Sequence, residues 1–82
     1  MEVHYTYKAA LNLESLPKDV QERIAKKMRF FAAQKDPLKF AERLVEPRGG
    51  TFRFRVGDYR IKFDVENDKI FILSIKKRDK AY

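Results

Sequence analysis

Residues 51–63 read TFRFRVGDYRIKF. Phe52, Phe54 and Val56 alternate with Arg53 and Arg55, and Gly57-Asp58 follows as a two-residue turn signal. Successive strand side chains point to opposite faces, so an apolar row facing a core forces both arginines onto the other side. Beyond the turn the alternation resumes, with Tyr59, Ile61, Phe63 and Val65 on one parity and Arg60, Lys62 and Asp64 on the other. The segment therefore predicts a hairpin with a greasy face and a basic face, and it puts Arg53, Arg55 and Arg60 on the same surface.

Clustered like charges repel and destabilise the sheet unless an anion compensates them. Arginine suits phosphate because its planar fork meets two oxygens at once. The pattern points to a phosphate-recognising surface, and ordinary solvated strand faces are the competing reading.

Outward from the hairpin, residues 69–76 are apolar on both parities, with Ile70 and Ile72 on one and Phe71, Leu73 and Ile75 on the other. That is the signature of a central strand. Residues 2–7, EVHYTY, alternate as a half-buried strand that can pair beside it, with His4 on the solvent side. A short helix is expected over 8–14 and a longer one over 17–34, opened by Pro17 and carrying the stripe Val20, Ile24, Met28 and Phe31. Phe30 lies beside that stripe. Asp36-Pro37 starts a further short helical segment with Phe40, Ala41 and Leu44 as inward candidates, and EPRGG (46–50) ends it in a loop. The expectation is one α+β domain over residues 1–82, ordered β-α-α-β-β-β. Its twisted, mainly antiparallel four-stranded sheet is covered by helices on one face and left as a basic concavity on the other.

The chain has 82 residues, 44% of them hydrophobic and 38% charged, which is enough for one small core. Without cysteine there is no disulfide framework and no thiolate site. No apolar run approaches the roughly 20 residues of a membrane helix, so a soluble cytoplasmic protein without a membrane partner is expected. The net charge of +7 is uneven: residues 1–47 contribute +2 and residues 48–82 contribute +5. The excess lies in the half that holds the hairpin, which favours a polyanionic partner. The tail SIKKRDKAY adds Lys76, Lys77, Arg78 and Lys80, read either as solvated charge or as nucleic-acid contacts, and Tyr82 is either a frayed end or a base-stacking ring.

Taken in order, LPKDVQERIAKKM, the P-x-x-F-A of residues 37–41, the RFRVGDYRIKF of residues 53–63 and the spaced Ile, Arg and Tyr of the tail resemble the RelE/ParE toxin superfamily over practically the whole chain. The resemblance implies a microbial type II toxin whose basic surface is masked by a cognate antitoxin, with any DNA binding made only through the antitoxin complex. RelE-like members cleave messenger RNA in the A site of a 70S-type ribosome, whereas ParE-like members poison DNA gyrase. The RelE pattern of functional residues falls on Arg53, Arg55, Arg60, Arg78 and Tyr82, and this set favours the ribonuclease branch. Lys62, Lys76, Lys77 and Lys80 would bind the RNA strand.

In that chemistry the RNA 2′-hydroxyl is the nucleophile, and neither a metal nor a cofactor is implied. Arg53 and Arg60 would stabilise charge on the phosphoryl oxygens, Arg78 would face the leaving oxygen and Tyr82 would stack on a base. Two positions depart from the pattern. Arg55 stands where the family's general-base lysine is expected, and an arginine holds its proton too firmly to act as a base. Lys77 stands where many relatives carry histidine. Glu46 is a further base candidate, read more simply as a surface carboxylate. A gyrase inhibitor and a noncatalytic RNA-binding module are the competing functions.

Overall fold

The computed structural model describes residues 1–44 and 52–78. Strand β1 (Glu2–Tyr5) leads into helix α1 (Tyr7–Glu14), helix α2 (Lys18–Ala33) and a 3-10 turn (Pro37–Phe40). Strands β2 (Glu42–Arg43), β3 (Phe52–Val56), β4 (Tyr59–Glu66) and β5 (Lys69–Lys77) complete it. The sheet order is β1-β5-β4-β3-β2, with β1 parallel to β5 and every other pair antiparallel.

Each element forms for a local reason. Thr6 caps α1 by accepting from the Ala9 N–H, and its hydroxyl donates to the Ile72 carbonyl at 2.8 Å, so the cap also pins α1 to β5. Pro17 closes the corner before α2 with its carbonyl, which accepts from Val20 and Gln21. The stripe Val20, Ile24, Met28 and Phe31 is buried, as its spacing requires. Two turns use left-handed backbone: Gly57 at φ 58°, and Asn67 and Asp68 at φ 51° and 61°.

The core lies between α2 and the inner face of the sheet. Phe54, Ile61, Phe63, Ile70 and Ile72 are fully buried there. Phe54 stacks on Phe31 of α2 at 4.1 Å between centroids and on Phe63 of β4 at 4.3 Å, an aromatic column that fixes the hairpin to the helix.

The first strand, expected over residues 2–7, ends at Tyr5 and Tyr7 opens α1 at the surface, while Phe40, expected to face inward, is about half exposed. The sheet also differs from the expectation in two respects. The sheet has a fifth strand, because Glu42 and Arg43 pair with Arg53 and Phe52. Two residues carry no periodicity, so no alternation announces β2. The parity of β5 also changes along its length. Lys62 pairs with Ser74 while Phe63 pairs with Ile72, leaving Leu73 as a bulge. Ile75 consequently joins Ile70 and Ile72 on the buried face instead of sharing a face with Phe71.

Candidate functional site

The face of the sheet opposite the helices is built in rungs. Arg53 of β3 lies opposite Lys62 of β4, which lies opposite Ser74 of β5. One rung along, Arg55 faces Arg60 and Arg60 faces Lys76. Side chains directly opposite in an antiparallel ladder have Cβ atoms about 5 Å apart, so the second rung holds three cations side by side. The bulge at Leu73 makes this possible, since it shifts Lys76 into line with Arg55 and Arg60.

At the free edge β2 contributes Glu42, directly opposite Arg53. Its Oε2 accepts from Nη2 of Arg53 at 3.1 Å and from Nη2 of Arg55 at 3.3 Å, and its Oε1 meets Nε of Arg55. Hydrogen bonds from Arg53 and then Arg55 hold the Glu42 carboxyl below the ordinary carboxylate range. Arg60, Lys76 and Arg78 form no ion pair among the described residues.

The remaining sequence candidates fall in three groups. Lys77 lies opposite Tyr59, whose side chain is buried against the helices, so its parity takes it off the arginine rungs to the rim of the covered face. The backbone N–H of Arg78 bonds the carbonyl of Asp58, which puts the start of the tail beside the Gly57-Asp58 turn. Lys80, Tyr82 and Glu46 lie outside the described residues. At the far end of the same sheet face, His4 stacks on Phe71 at 5.4 Å and its Nε2 is 3.2 Å from Oε1 of Glu2.

The residue missed from the sequence is Glu42. Its spacing to Arg53 carries no motif, and only an antiparallel pairing of a two-residue strand brings the two together. Among the described residues no group of three or more His, Cys, Asp or Glu could hold a metal ion. Among the same residues no helix is long and apolar enough to cross a membrane.

Away from this face, the apolar side chains of α2 continue onto the surface. Phe30 and Phe40 are each about half exposed and meet edge-to-face at 5.8 Å, with the Lys27 ammonium 5.5 Å from the Phe30 ring centre. Arg23, Lys26 and Lys27 line a shallow groove along Phe30.

The family model for the ParE toxin of type II toxin–antitoxin systems matches residues 3–82. The chain belongs to this family. Its fold is similar to that in the RelBE2 toxin–antitoxin complex of Mycobacterium tuberculosis, with a TM-score of 0.77 at 25% identity over 94% of this chain and 90% of that one. The archaeal RelE–RelB complex of Pyrococcus horikoshii OT3 gives 0.75 at 28% identity, over 98% and 97%. The intact RelBE complex of E. coli, at 14% identity and a TM-score of 0.72 over 96% and 98%, shares the fold. No curated protein matches the sequence. In this toxin family setting, the α+β domain with its helix-covered sheet is a RelE-like fold, and the basic rungs occupy the face that the helices leave open.

Proposed function

We propose that this toxin is a ribosome-dependent endoribonuclease that cuts messenger RNA in the A site. The single observation that carries the reading is the adjacency of Arg53, Arg55, Arg60, Lys62 and Lys76 on two neighbouring rungs of the sheet face opposite the helices. A phosphodiester approaching that face meets donors from three strands, each fixed by backbone pairing.

The step conserves atoms and charge. The 2′-oxygen attacks phosphorus while its proton passes to an acceptor, the P–O5′ bond breaks, and the departing O5′ takes up a proton, leaving a 2′,3′-cyclic phosphate. Arg53 and Arg60 stabilise the growing negative charge on the phosphoryl oxygens. Arg55 lowers the pKa of the 2′-hydroxyl through its fixed charge but does not accept the proton. Glu42, held by two arginines with its carboxyl depressed, is a weak base in this arrangement. Water or ribosomal RNA therefore takes the proton, and the ribosome supplies much of the acceleration by positioning the strand. Arg78, whose backbone is held beside the Gly57-Asp58 turn, is assigned to the leaving oxygen, and the family resemblance assigns base stacking to Tyr82, which lies outside the described residues.

The partner that restrains it is a cognate antitoxin. The exposed pair Phe30 and Phe40, with Arg23, Lys26 and Lys27 lining the groove beside Phe30, suits the apolar side of an acidic amphipathic segment. The RelE-like relatives were solved as complexes with RelB antitoxins.

The test is cleavage-site mapping on programmed ribosomes with the intact toxin and with Arg60→Ala, alongside free RNA. A-site cuts that fall about 100-fold or more with Arg60→Ala support the reading. Their absence with folded intact protein overturns it. A second reading follows from the family itself: inhibition of DNA gyrase without nuclease chemistry. A supercoiling assay run on the same preparations separates the two.

A further inference from the structure

Arg53 and Arg55 share one carboxylate. Glu42 presents both oxygens to the two guanidiniums, with Oε2 accepting from both and Oε1 meeting Nε of Arg55. Two oxygens facing planar forks is also how guanidinium binds phosphate, so a phosphate and this carboxylate compete for the same donors. The carboxylate is not locked in place. The Glu42 side chain is 42% exposed and that of Arg55 55%, and β2 is held to the sheet by two rungs. Ion pairs with this exposure exchange readily. Nor does Glu42 satisfy the pair fully, because the buried Nε of Arg53 has no hydrogen-bond partner among the described residues.

Resting on the phosphate-binding reading of this face, we propose that Glu42 is a built-in anion that occupies the phosphate position of Arg53 and Arg55, and that an RNA strand binds there by displacing it. The pairing leaves the three-residue cluster with one net positive charge instead of two. A solitary phosphate must outcompete a tethered carboxylate held at high local concentration. A strand that also engages Arg60 and Lys76 displaces it through several contacts at once. The device thus discriminates between stray anions and an extended strand.

The experiment measures affinity rather than cleavage. A fluorescent 2′-O-methyl oligoribonucleotide, whose attacking oxygen is capped, is titrated with wild type, Glu42→Gln and Glu42→Ala at several salt concentrations, with circular dichroism confirming the fold of each. Both variants should bind about 3- to 10-fold more tightly, the scale of one exposed ion pair. The slope of log affinity against log salt should steepen by about 0.7, the share of one added phosphate contact on a single strand. Binding by wild type that is unchanged or weakened in both variants overturns the competitor role and leaves the phosphate face standing. No binding by any form at low salt overturns the phosphate reading, and this proposal with it.

Discussion

Ile75 donates its backbone N–H to Oδ1 of Asn12 at 3.0 Å. The bond answers a problem that the topology creates. β1 ends at Tyr5, opposite Ile72, so beyond Ile72 the β1 side of β5 has no strand to pair with. Asn12, on the helix that follows β1, supplies the missing acceptor just after the bulge at Leu73. Asn12→Ala should cost about 1–2 kcal/mol by leaving a partly buried N–H without an acceptor. In a domain of this size that is a fall in Tm of roughly 4–16 °C. Asn12→Asp keeps an acceptor and should recover part of the loss, which a pair of denaturant titrations will show.

Gly57 sits at φ 58°, and a Cβ there would lie 3.1 Å from Nη1 of Arg23. The backbone term dominates, since the guanidinium is the far end of a flexible chain and can give way. Gly57→Ala should destabilise by about 1–2 kcal/mol through the left-handed conformation. If thermal unfolding of Gly57→Ala matched wild type, the turn would have to be relaxing to another geometry.

Arg55 and Arg60 stand opposite each other and both carry fixed charge. Removing one member of a like-charged cross-strand pair should leave stability unchanged or raise it by up to about 1 kcal/mol. Arg60→Ala is therefore expected to lose activity without losing fold. An Arg60→Ala protein that melts well below wild type would show the residue to be structural.

The Glu42 carboxyl is depressed by Arg53 and Arg55 from its ordinary 4.5. A lowered folded-state pKa means that the native state binds its proton less readily than the unfolded chain. The stability contributed is present above the unfolded value and is lost as pH falls through the folded one. The difference in stability between wild type and Glu42→Gln should be constant near neutrality, shrink below about pH 4.5 and vanish in stronger acid. Urea titrations of both proteins across pH 2–7 check the sign, and a gap that widens on acidification would contradict it.

Phe30 and Phe40 touch each other and solvent. Phe30→Ala combined with Phe40→Ala should weaken antitoxin binding by about 2 kcal/mol or more, as loss of an aromatic anchor does. Lys27→Glu should slow association, with an effect that fades at high salt. Calorimetry and stopped-flow kinetics with the cognate antitoxin would read the two effects, and an unaltered affinity in the double variant would move the antitoxin to another surface.

Much of this molecule was legible in the order of its residues. Parity alone put Arg53, Arg55 and Arg60 on the open face, because a strand repeats every two residues whatever it pairs with. The stripe from Val20 to Phe31 fixed the covering helix for the same local reason. Tyr82 and Lys80, also named from sequence, lie outside the described residues. What no local pattern could supply was register across strands distant in sequence. The bulge at Leu73 turns Ile75 inward and brings Lys76 level with Arg55 and Arg60, and a two-residue edge strand sets Glu42 against both arginines of β3. Periodicity decides which way a side chain points, but only tertiary pairing decides which charge it meets.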